Sequence, residues 1–198
     1  MPSRILKYCG FLAIAVLWST VLASIFVTKF NLFGTLPVSY LGVYEQSKYL
    51  FNGGLIVSSI LLLGFLYYFS EHQPLSKWFI AIFVAGQICQ IIVALTPYNS
   101  QSYIRSVHVV SAFALAFTLP LSMYALRYSR SVSAAVLKVT SRFLQLELVL
   151  FVLGIGWFIS ASAAGALSEI ITAIGYDVWV IALSMKLLKL PKTETANS

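Results

Sequence analysis

The sequence predicts an all-α, polytopic membrane protein: a transmembrane six-helix bundle with N-terminus and C-terminus both cytoplasmic, the whole of residues 1–198 forming a single transmembrane domain. Three observations carry this reading. The 198 residues are 60% hydrophobic and only 10% charged, with a mean hydropathy of +0.90, and a soluble domain of that size has too little interior to hide so much apolar surface. Six separate segments reach the roughly 20 apolar residues that a helix needs to cross the hydrocarbon core. Lysine and arginine, finally, are distributed unequally between the two sides that those six crossings define.

The spans are read in order as 9–28, 49–70, 77–95, 105–126, 142–163 and 166–186. The first follows Arg4 and Lys7 like a secretory signal, but its apolar run exceeds the roughly 7 to 15 residues of a signal core and reads as an uncleaved span. The second and third are joined by the short SEHQPLSK segment and form an antiparallel hairpin. The fifth and sixth meet about Gly165. Gly156, Ser160, Ala164 and Ser168 recur every four residues there, and small residues at that spacing allow close approach of helices in lipid. Gly54 and Ser58 offer a weaker version on the second span. No internal repeat of the kind found in many transporters is present.

Orientation follows from the flanks. Arg4, Lys7, Lys77, Arg127, Arg130, Lys138, Arg142, Lys186, Lys189 and Lys192 fall on one side, and only Lys29, Lys48 and Arg105 on the other, which puts the first side in the cytoplasm. The connection KFNLFGTLPVSYLGVYEQSK between the first two spans is then outside. It is too apolar for a free loop and is expected to lie in the interface or fold back over the bundle. The basic, serine-rich stretch from Arg127 to Arg142 reads as a positive-inside loop, with an amphipathic surface helix as the alternative.

Composition also excludes functions. A formal charge of +7 raises nucleic acid as a partner, but the basic residues stand singly between apolar runs, so no nucleic-acid surface is expected and membrane lipids are the implied partners. Cys9 and Cys89 lie near opposite faces and make no disulfide framework. His72 and His108 also lie at opposite faces, so neither a metal site nor a haem pair is assembled from them, and no cofactor is expected. A Ser111, His108 and Asp177 hydrolase has no local signature behind it. No glycine loop for phosphate is present.

Ionisable groups inside a span are expensive and point to function by default. Asp177 lies about 16 Å into the sixth span, near the midplane. It reads either as a proton- or cation-coupling group or as a structural carboxyl bonded to a neighbouring hydroxyl or amide. Glu147, nearer the inner end, is expected to reach Arg142 or water in a structural role. A second set, Asn52, Gln87, Gln90, Arg105, His108, Ser160, Glu169 and Thr172, falls in the outer halves of the spans, with Glu45 in the preceding connection. Gln87 with Gln90, Arg105 with His108, and Glu169 with Thr172 stand three apart and share faces. If the faces converge they form a polar pocket opening outward; otherwise they are interhelical hydrogen bonds that hold the bundle.

The stretches VSYLGVYEQSKYLFNGGLIVSSILLLGF and LTPYNSQSYIRSVHVVSAFALAF resemble the six-span domain-of-unknown-function 998 family. That family has a Ser-x-Leu-Gly element after the first span, a Phe-Asn start to the second, and a Pro and a His around the start of the fourth. Ser39, Leu41, Gly42, Phe51, Asn52, Pro97 and His108 are the matching residues, while Tyr98 and Asn99 replace the usual acidic residue near the proline. DRAM-like six-span proteins are similar in layout. The resemblance implies no particular reaction, but it draws attention to the outer-facing set.

The expected function is therefore binding of a small molecule or lipid head group in an outward-facing polar pocket of the cell membrane, through Glu45, Asn52, Gln87, Gln90, Arg105, His108, Glu169 and Asp177. A transporter or channel coupled through Asp177 is the alternative. An intramembrane enzyme using His108 with acidic residues is the third.

Overall fold

The computed structural model describes residues 3–98, 102–129, 132–160 and 165–188. A one-turn helix, α1 (Ser3–Leu6), precedes six long helices: α2 (Cys9–Thr28), α3 (Lys48–His72), α4 (Lys77–Leu95), α5 (Ser102–Arg127), α6 (Ala134–Ser160) and α7 (Ala166–Leu188). Among the described residues there is no strand. Five of the long helices, α2, α3, α4, α5 and α7, are long and apolar enough to cross a membrane. Their outward faces carry exposed Phe26, Ile60, Val110 and Met185, among others, a surface suited to lipid rather than water.

The predicted bounds of the first and third spans recur unchanged, and those of the second, fourth and sixth shift by a turn or less. The fifth differs. α6 begins at Ala134 instead of Arg142, because Val132, Val136, Thr140 and Leu144 form a buried stripe at helical spacing while Lys138 and Arg142 stay exposed. The basic stretch is thus mostly helix rather than loop. Its start is fixed by Gln73 after α3, whose Oε1 accepts from the Ser133 amide at 2.8 Å. The predicted end of this span, residues 161–163, lies outside the described residues.

Neighbours in sequence pack as antiparallel pairs, α2 with α3, α4 with α5 and α6 with α7, and α3 also packs along α4. α5 meets α6 more lightly and touches α7 least. The tight α6–α7 contact is present, and of the predicted row Ser168 lies at it. Gly156 faces open space, the Ser160 side chain and Ala164 lie outside the described residues, and it is Gly154, against Thr172 and the Ser168 carbonyl, and Gly175, against Glu147, that bring the helices close.

The α2–α3 connection folds back over one end of the bundle as a short 3₁₀ helix, Val38–Gly42, with Val38, Ser39, Leu41 and Gly42 buried. The end it covers is called the capped end below. Two apolar cores result. The larger, around Phe65, Phe69, Phe79, Phe83, Trp179 and Leu183, fills the opposite half. The smaller, around Val21, Leu41, Phe51, Leu55 and Val93, lies under the cap.

Candidate functional site

Between the two cores lies a chamber of about 590 Å³ to which all six long helices contribute. Leu17 and Trp18 come from α2, Leu55 from α3, Val93 from α4, Ala112 and Phe113 from α5, Phe151 from α6 and Ala173 from α7, while Pro37–Ser39 and Tyr98 close it at the capped end. Small residues make the space: Ala112, Ala116, Gly154 and Ala173 stand where larger side chains would meet. The walls are overwhelmingly apolar, and no lysine or arginine is among them.

Of the eight candidate binding residues, four line this chamber: Gln90, His108, Glu169 and Asp177. Each is tied to the scaffold by a hydrogen bond. Asp177 Oδ2 accepts from Trp18 Nε1 at 2.9 Å. Glu169 Oε2 accepts from the Ser39 amide at 3.2 Å, which fastens the cap to α7. Gln90 Nε2 donates to the Leu55 carbonyl at 3.1 Å, linking α4 to α3. His108 Nδ1 bonds the Thr96 carbonyl at 2.5 Å and so joins α5 to the end of α4. Its other nitrogen, Nε2, is buried and has no hydrogen-bond partner.

The other four are placed elsewhere. Asn52 Nδ2 donates to the Gly42 carbonyl at 3.1 Å and pins the cap to α3. Gln87 is buried without lining the chamber, near Tyr176. Arg105 lies exposed over the Tyr98 ring, 4.7 Å from its centroid, and donates to the Tyr98 hydroxyl at 3.1 Å. Glu45 forms a surface ion pair with Lys48 at 2.8 Å. Arg105 and His108, three apart, both meet Tyr98, the exposed Arg105 stacked over its ring and the buried His108 set edge-on to it. The Thr172 hydroxyl lines the chamber but donates to the Ser168 and Glu169 carbonyls of its own helix.

Glu147 departs from its expected place. It is fully buried against Gly175, with no hydrogen-bond partner for either carboxylate oxygen, and does not reach Arg142 or water. The stripe through Val136, Thr140 and Leu144 carries Glu147 into the bundle, whereas Arg142 lies on the opposite, exposed side. Nor does a hydrolase triad form, since the His108 ring bonds Thr96 and Asp177 bonds Trp18. Among the described residues no group of three His, Cys, Asp or Glu is placed to hold a metal ion.

Trp18 was not signalled as a site residue, although a tryptophan ten residues into an apolar span, away from the interfaces where it is common, needs a partner for its N–H. Tyr98, set edge-on to His108 with ring centroids 5.6 Å apart, gave no such sign.

The fold and chamber define a polytopic α-helical membrane protein with an apolar cavity between its helices, open to the outside past Phe113, Phe117 and Ile159, and a cap over one end. The chain belongs to the family described as "Protein of unknown function (DUF998)", which matches residues 9–186. No curated protein and no solved structure matches it. The residues that carry the family resemblance gather at the capped end, where Asn52 holds Gly42 and His108 holds Thr96 beside Pro97.

Proposed function

We propose that the chamber binds an elongated, mostly apolar small molecule or lipid with a polar end, and that the capped end faces outward from the cell membrane with both termini in the cytoplasm. The observation that carries the reading is a chamber of about 590 Å³, within the range of ligand sites, walled by aliphatic and aromatic side chains with polar groups at few points. The outward orientation is supported by the unequal distribution of basic residues. The light packing of α5 on α6, where Phe117 and Phe151 meet edge to face at 5.3 Å, marks a route in from the lipid. A second reading, transport coupled through Asp177, is supported by the position of that carboxyl on the chamber wall.

Ala112→Trp and Ala173→Phe place bulk in the chamber from two different helices. Native mass spectrometry of the full chain purified in mild detergent is expected to show a lipid-sized adduct on the wild type and its loss from both variants. An adduct that survives both substitutions, or none on the wild type, overturns the reading.

A further inference from the structure

We infer that the first half of α6, at the end opposite the cap, carries a binding face for an anionic phospholipid, whose phosphate is held by Lys138 and Arg142. The inference stands apart from whatever fills the chamber.

The face follows from the helical pattern. Val136, Thr140, Leu144 and Glu147 are buried and set one side of α6 against the bundle. Lys138, Arg142 and Gln145 are exposed on the other side, at spacings of four and three that bring them into one row. The row continues toward the cap as exposed Val149 and Val152. One face of the helix is thus cationic and polar in its first half and aliphatic in its second, the order of a phospholipid's head group and chains.

The depth is set by the contact with α7. Trp179 Nε1 donates to Thr140 Oγ1 at 3.2 Å and Gly175 packs on Glu147, a register that puts Arg142 level with Val178. From there α7 runs on as VWVIALSM before Lys186, its only cation. At about 1.5 Å per residue, Arg142 leaves its helix about 12 Å further into the bilayer than Lys186, and Lys138 about 6 Å. Both side chains can reach back toward the interface, but a charge at such depth is costly unless an anion meets it.

The protein does not supply that anion. Among the described residues the one ion pair is Lys48 with Glu45, at the capped end. Glu147 and Asp177 are buried, Glu169 is bonded to the cap, and Glu71, exposed at the end of α3, is within ion-pair reach of neither cation. A second copy of the chain would bring the same buried carboxyls and could not neutralise the row. A phospholipid phosphate brings the missing charge to two cationic donors, with the Gln145 amide beside them.

The test uses the full chain in mild detergent, titrated with phosphatidylglycerol and phosphatidylcholine of identical chains and read by native mass spectrometry. The wild type is expected to hold phosphatidylglycerol about 10- to 30-fold more tightly, the worth of two basic side chains near the surface. The double variant Lys138→Gln, Arg142→Gln should lose that preference. Lys77→Gln with Lys186→Gln, at the rim, should keep most of it, and Ala112→Trp, which fills the chamber, should leave it unchanged. The wild-type melting temperature, which needs no variant, should rise more with phosphatidylglycerol than with phosphatidylcholine. Equal binding of the two lipids with equal melting temperatures overturns the inference. So does a preference that survives the Lys138 and Arg142 substitutions, or one lost as fully with the rim pair or with Ala112→Trp. Self-association that the Lys138 and Arg142 substitutions abolish, without any lipid preference, overturns it in favour of a second copy on this face.

Discussion

Gly53 and Gly54 are adjacent on α3, yet the same substitution should have opposite effects at them. A Cβ on Gly54 would stand 2.6 Å from Thr20 Cβ and 2.7 Å from Thr20 Cγ2, and nearer still to Oγ1. Thr20 gives way poorly, since its β-branched side chain is stiff and its hydroxyl is bonded at 2.9 Å to the carbonyls of both Val16 and Leu17. Overpacking costs about 1–3 kcal/mol, and three atoms inside 3 Å put Gly54→Ala in the upper half of that range. The gain of up to about 1 kcal/mol from replacing glycine in a helix offsets part of it, leaving a net loss of about 1–2 kcal/mol. A Cβ on Gly53 meets nothing within 4 Å, so Gly53→Ala keeps the gain alone. The two variants should differ by about 2–3 kcal/mol in denaturant unfolding of the detergent-solubilised protein, with Gly54→Ala the less stable. Equal stability, or the reverse order, would refute the proposed contact between α2 and α3.

Glu147→Met removes a buried carboxyl that has no hydrogen-bond partner and replaces it with a flexible apolar chain of similar size, so it should stabilise the bundle by about 1–3 kcal/mol. A lower melting temperature would show that the carboxyl makes a stabilising interaction. For orientation, Asn31→Cys and Ser70→Cys each place a thiol at an exposed position, near the capped and opposite ends respectively. In a chain with Cys9 and Cys89 replaced by alanine, an impermeant thiol reagent should label Asn31→Cys in intact cells and leave Ser70→Cys untouched. The opposite pattern would turn the molecule over.

The helices were legible because lipid imposes one simple demand, a long apolar run, and five of the six predicted segments coincide with helices to within a turn. The start of α6 was obscured because two exposed basic residues, Lys138 and Arg142, mask the buried stripe that alternates with them. The site was legible only in part, since spacing fixes which residues share a face but not where that face turns once helices pack. Gln90, His108, Glu169 and Asp177 reached one chamber, while Arg105 turned outward to Tyr98 and Asn52 was taken up by the cap. The Trp18 to Asp177 bond joins residues 159 apart in sequence, and no local pattern announces such a pair. The polar pocket anticipated from these side chains is consequently an apolar chamber in which most polar groups already have partners within the protein.

The pairing of helices bears on how the protein is made. α2–α3, α4–α5 and α6–α7 are antiparallel pairs, each mostly packed against itself, and such pairs can enter the bilayer and zip up in turn before they find one another. The chamber belongs to no single pair. It exists only where all three have docked, so it forms at the last step of assembly. A molecule that fits it binds the finished bundle and not its precursors, and by mass action draws the newly inserted chain toward completion. Cells lacking such a molecule should then hold less of the folded protein at the same rate of synthesis.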